Sequence, residues 1–308
     1  MNNILQLKGR FEQRSNASRP GLPKLPKGKK VLALHLHELA KQLERILEYW
    51  TKNTDINGAL VSVHYKHIVA KSNRLKVLLS ENGKSPTDSI RGVKFVWESN
   101  DAGKEVQKHV FTHFVSLKSI EKSIELLNNT ATIIEKHYNG AVNSGTIEEL
   151  GEKSEYRFTE VSKTNFLRTV VDGFYVEKFD IDRATEEITD EAIITIYQTG
   201  VDTKKLLSKF GIHIVDERIS DGTTLRLNPD EVKLLYNNAS YLIAMGVTDF
   251  SEISRNDILD LSEDTEDDFG ALIPHPKNEP IIGVIDTQFN ENVYFHEWVE
   301  YKNLLDSN

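Results

Sequence analysis

Cysteine is missing from all 308 residues. That absence excludes a disulfide framework, a thiolate metal site and a thiol nucleophile. No run approaches the ~20 apolar residues that span a bilayer. No apolar signal core follows the opening Met1-Asn2-Asn3. Positive charge is also short: 38 Lys+Arg stand against 47 Asp+Glu, a formal net charge of -9. A dedicated nucleic-acid binder would show the opposite balance. A soluble, cytoplasmic protein with no membrane partner is the expectation. The 39% hydrophobic and 28% charged content is ordinary for a globular chain, and the length allows two or three domains.

Charge is unevenly placed. Lys8, Arg10, Arg14, Arg19, Lys24, Lys27, Lys29 and Lys30 face only Glu12, while Pro20, Gly21, Pro23, Pro26 and Gly28 prevent a helix. Residues 1–30 are therefore expected as an extended basic arm. It either clamps an acidic partner or phosphate backbone, or packs on its own acidic protein. Residues 251–276 are the reverse: Glu252, Asp257, Asp260, Glu263, Asp264, Glu266, Asp267 and Asp268 read as a solvated acidic linker.

Between these lie two patterned regions. In residues 31–185, Leu36, Leu39, Leu43, Ile46, Leu47 and Trp50 step by three and four, which predicts an amphipathic helix. Gly58 to Tyr65 reads as a strand. Val93 to Trp97 and Val106 to Val115 read as a hairpin around the turn-rich Asn100 to Gly103. Ile120, Ile124, Leu127, Ala131, Ile134 and Tyr138 mark a second long helix stopping near Asn139-Gly140. A short helix at Phe166 to Val170 and a strand at Phe174 to Phe179 complete a mixed α+β domain.

Residues 190–250 read as strand (Ile193 to Tyr197), helix capped by Asp202, and strand (Ile212 to Arg218). An Asp221-Gly222 turn, a strand (Thr223 to Leu227), a helix opened by Asn228-Pro229 and a last strand (Tyr241 to Val247) follow. The order β-α-β-β-α-β is that of a ferredoxin-like unit.

The stretch Pro280-Ile-Ile-Gly-Val-Ile-Asp286-Thr287 is a short β-branched run ending in a carboxylate. It predicts a buried strand that delivers Asp286 to its carboxyl end, where α/β sheets collect catalytic groups. This run resembles the aspartate motif of the subtilisin-like serine peptidases, with Gln288 where the family has glycine. The 190–250 unit resembles the family's inhibitor-type propeptide, which lies just upstream of the peptidase domain. Leu7-Lys8-Gly9-Arg10-Phe11-Glu12, Ala59-Leu60-Val61-Ser62-Val63 and the stretch from Asn278 to Asp306 look like a bacterial subgroup with long amino-terminal regions. That resemblance implies a link with an AAA-type ATPase and a role in phage defence.

A triad needs a nucleophile, a histidine base and a carboxylate that fixes the histidine's tautomer. The family order is Asp, His, Ser, and neither His-Gly-Thr nor Gly-Thr-Ser follows Asp286. The expectation is the amino-terminal part of a serine endopeptidase, inactive alone. Residues 277–308 would start a truncated α/β catalytic domain, with the rest of that domain and a protein or peptide as partners. The competing reading is a non-catalytic protease-inhibitor or protein-interaction module.

No cofactor and no metal site are expected. His109 and His113 share a strand face but lie roughly 13 Å apart there, too far for one ion. Gly83-Lys84-Ser85 lacks the earlier glycine of a phosphate loop, because Leu78 stands at that position. Fold class is α+β: a mixed amino-terminal domain, a ferredoxin-like unit, and the first strand of an α/β domain.

Overall fold

A computed structural model describes residues 23–248, apart from 82, 100–102, 104, 153–155 and 186–189. Asp286, the basic arm as far as residue 22 and the acidic linker 251–276 lie outside the described residues. The described part is α+β with antiparallel sheets.

The chain enters through β1 (Lys30–Leu32) and α1 (Ala33–Lys52). The apolar stripe read from the sequence is the buried one: Leu36, Leu39, Leu43, Ile46 and Trp50 all face inward. β2 (Ala59–Tyr65) follows, then β3 (Ile90–Ser99), β4 (Glu105–Val115), α2 (Leu117–His137), β5 (Ala141–Asn143), α3 (Ser144–Glu152), α4 (Lys163–Tyr175) and β6 (Val176–Asp180). The large sheet runs β3-β4-β2-β6, and β1 pairs with β5. β2 is central and buried along its whole length, so both of its alternating faces are covered. Helix α4 approaches α1 closely at Gly173, where an added Cβ would lie 2.2 Å from Leu36 Cδ2. Only glycine leaves room there.

A second antiparallel sheet follows from β7 (Ala192–Ile196), α5 (Thr203–Ser208), β8 (Ile219–Ser220), β9 (Thr224–Leu227), α6 (Pro229–Ala239) and β10 (Ile243–Thr248), in the order β10-β7-β9-β8. Asp202 caps α5 by accepting from Lys205 N–H at 3.0 Å. Asn228 and Glu231 form a reciprocal capping box at the start of α6. Asp221 and Gly222 both take positive φ, 48° and 76°, the conformation a tight hairpin demands. The segment expected as a strand from Ile212 to Arg218 differs. It is irregular, then a single 3₁₀ turn over Asp216–Arg218, and only Ile219–Ser220 pairs with β9. The reason lies in burial: Ile212 and Ile214 are drawn into the core while Val215 is exposed, so the apolar residues anchor a loop and need no partner strand.

The two sheets share one apolar core and meet through named contacts. Tyr197, just after β7, lies over Gly92 of β3, where a Cβ would come within 2.6 Å of its ring. Its hydroxyl accepts from Thr112 Oγ1 at 3.2 Å. Tyr241 packs edge-on against Trp50 with ring centres 5.0 Å apart, while Trp50 Nε1–H donates to Leu60 O at 3.0 Å. These aromatic contacts bury large area and still satisfy their polar atoms.

Candidate functional site

Alternation along β2 sets Val61, Val63 and Tyr65 on one face of the large sheet and Leu60, Ser62 and His64 on the other. Cross-strand register then fixes what shares the second face. His64 lies opposite Val110 of β4 and Lys178 of β6, Ser62 opposite Thr112 and Asp180, and Lys94 of β3 opposite Val110. Asp182, two residues beyond β6, turns back over this face. It takes His64 Nε2 at 2.9 Å and Lys94 Nζ at 2.8 Å. Lys178 Nζ lies 3.9 Å from Asp180. Beside them Lys108 Nζ meets Glu98 at 2.7 Å and Glu177 at 2.8 Å.

Burial alone would raise the Asp182 carboxyl; the hydrogen bonds from His64 and Lys94 overcome that and hold it down at about 2. Its folded value lies below the ordinary ~3.9, so its stabilisation is full above about pH 4 and is lost as pH falls through about 2. Asp182→Asn is expected to cost about 2 kcal/mol at neutral pH. Urea unfolding at pH 7 and in acid checks this, because the gap from wild type must close as Asp182 is protonated.

His64, Asp180 and Asp182 each offer a ligand atom, all within 4.8 Å of one another. The donor set would suit a borderline or hard divalent cation. Lys94 and Lys178 already neutralise the two carboxylates, so the arrangement is a closed ion-pair network.

Elsewhere Ser89 and His113 are hydrogen-bonded, Oγ to Nδ1 at 2.8 Å. This serine–histidine pair is not a nucleophile and base. Ser89 gives its own proton to Pro86 O at 2.8 Å. Burial pushes the His113 imidazole down to about 3, and only 1% of the residue is exposed. His109 and His113 reach different partners, Val69 N–H and Ser89. His35 contacts Val176 O, and His37 contacts Asn128 across α1 and α2. Gly83-Lys84-Ser85 lies in a surface turn, where Ser85 caps the 3₁₀ turn Pro86–Ser89.

Asp172 of α4 is a fully buried carboxylate. It accepts from Lys76 N–H at 2.8 Å and from Val77 and Leu78 N–H, each at 3.0 Å. The next residue, Leu79, is non-glycine at φ 58°, and its N–H is held by Ser123 Oγ at 2.8 Å. Burial pushes the Asp172 carboxyl up to about 6 against the pull of those three donors.

Sequence reading passed over Lys94, Asp172 and Asp182. A signal existed for His64 and Ser62 alone, as polar residues alternating within a strongly apolar strand. The carboxylate partner of His64 lies 118 residues away, beyond any local pattern. Asp286 lies outside the described residues. No family model, curated protein or solved structure matches the chain.

Proposed function

We propose that this chain is the amino-terminal part of a subtilisin-like serine endopeptidase. In this reading β7-α5-β8-β9-α6-β10 is a ferredoxin-like, propeptide-type module, and Asp286 supplies the triad carboxylate to a histidine and a serine carried by further sequence. The module templates or blocks the catalytic domain, and the whole acts on a protein or peptide in the cytoplasm. A link to an AAA-type ATPase and to phage defence belongs to the same reading.

One observation carries it. The β10-β7-β9-β8 sheet has connectivity β-α-β-β-α-β and buries only one face. Ala192, Ile194, Ile196, Leu225 and Leu227 join the core with Leu206, Leu207, Val232 and Leu235 from the helices. The opposite face shows Ile193, Met245 and Val247 at 37, 58 and 44% exposed. Ile193 lies directly opposite Val247 in the ladder, so the apolar groups are contiguous. An open apolar sheet face on a small module, ahead of the Asp286 run in sequence, fits a surface that docks on a catalytic domain.

The test is a double substitution, Met245→Asp with Val247→Asp, in the complete peptidase. The expected outcome is at least a tenfold fall in the yield of active enzyme (on the order of 1.4 kcal/mol of docking), with the secondary structure of this region intact by circular dichroism. Undiminished yield would remove the propeptide role. The reading of a non-catalytic inhibitor or interaction module rests on the same face. It is favoured if that face captures a separately expressed peptidase and inhibits it tightly.

A further inference from the structure

Strand β3 is ten residues long and lies at the edge of the large sheet, paired only with β4 among the described residues. Among the described residues its outer edge has no partner strand and presents open backbone donors and acceptors, which proteins ordinarily blunt with short strands, proline or inward-pointing charge. Here the exposed face instead carries Val93, Phe95 and Trp97 at 52, 54 and 64% exposed. Phe95 is held in place by stacking on His109, ring centres 4.8 Å apart. The apolar stripe is therefore ordered, and it borders an open ladder.

We propose that β3 pairs antiparallel with β3 of a second copy of this chain, with Val96 on the two-fold axis. The sequence of the strand complements itself in that register. Phe95 falls opposite Trp97 of the copy, and Trp97 opposite Phe95. On the other face Lys94 falls opposite Glu98 of the copy, and Glu98 opposite Lys94. Both charged groups are partly exposed, 46 and 43%, so each can serve a second partner beside Asp182 or Lys108. Aromatic pairs and opposite charges are the cross-strand combinations that stabilise an antiparallel ladder.

Neighbouring registers lose this match. Centring on Phe95 sets Lys94 against Val96, centring on Trp97 sets Glu98 against Val96, and centring on Lys94 brings two like charges together. Like every register centred on a residue, the Val96 register sets outward-facing backbone against outward-facing backbone, as antiparallel pairing needs. The product is an isologous dimer with one continuous sheet of eight strands.

Because cysteine is absent, introduced thiols report the pairing without background. The experiment uses the full chain: sedimentation through a micromolar concentration series, and oxidation of Val96→Cys alone and of Phe95→Cys mixed with Trp97→Cys. Only one of these two cross-strand pair types brings its Cβ atoms within disulfide reach. Expected are a wild-type dimer and one of those two cross-links, with neither Phe95→Cys alone nor Trp97→Cys alone linking to itself. Trp97→Asp should raise the dimer Kd at least about tenfold with an unchanged melt, since that side chain is largely in solvent. A wild type that sediments as a monomer throughout, or a Phe95→Cys chain that links to its own copy, would overturn the proposal.

Discussion

Under the proposed function, Asp286→Asn in the longer peptidase should lower peptide turnover about ten-thousandfold without shifting the thermal melt. The size follows from the task of the third triad member. A carboxylate accepts the Nδ1–H of the histidine and stabilises the imidazolium that forms when the serine loses its proton. A neutral amide presents an N–H there instead and favours the tautomer that cannot take the serine proton. Binding of substrate and the oxyanion donors survive, so the loss falls on kcat more than on KM. The control lies within the described residues. Asp182→Asn removes a carboxylate that also holds a histidine, His64, at 2.9 Å, and should leave turnover unchanged. A comparable collapse there, with Asp286→Asn active, would move the chemistry to the ion-pair face and sink the peptidase reading.

The second large effect belongs to Asp172→Ala. Its carboxylate satisfies three successive backbone N–H groups, those of Lys76, Val77 and Leu78, and that segment continues into the strained Leu79. Removing every acceptor strands three backbone donors, two buried and that of Lys76 part-buried, each worth about 1–3 kcal/mol when left unsatisfied inside the protein. The direction with pH is opposite to that of Asp182. The folded carboxyl titrates at about 6, above the unfolded ~3.9, so the folded state holds its proton more tightly. The contribution of Asp172 is thus full below about pH 4 and falls as pH rises through about 6. The wild-type advantage over Asp172→Ala should be about 5 kcal/mol near pH 4 and shrink to about 2 kcal/mol at neutral pH. Chemical denaturation across that range checks it. A gap that widens with rising pH would mean the carboxylate is favoured ionised, with the three donors outweighing burial.

These two residues also mark how far the sequence could be read. The helices carried by Leu36 to Trp50 and by Ile120 to Tyr138 were legible because a buried stripe repeats at the helical period. The β3–β4 hairpin was legible from its turn residues, and α6 from Asn228-Pro229. The strand assigned to Ile212 to Arg218 was not, because β-branched residues seek burial whether or not a neighbour pairs with them. Asp172 looked like any polar residue of an amphipathic helix. Its role depends on the loop at Lys76 to Leu78, 94 to 96 residues earlier, which no helical period records. The Asp182 network was hidden in the same way, since its members come from β2, β3 and the end of β6. The exposed apolar face at Ile193, Met245 and Val247 was not legible, because only the sheet order decided which face the helices leave open.

Covalent labelling of the complete peptidase with a fluorophosphonate tests the central claim most directly, because such probes modify only an activated serine. The result expected under the proposed function is one labelled serine, with labelling suppressed in Asp286→Asn. A natively melting protein in which no serine is modified, or in which Asp286→Asn labels as fast as wild type, would contradict it.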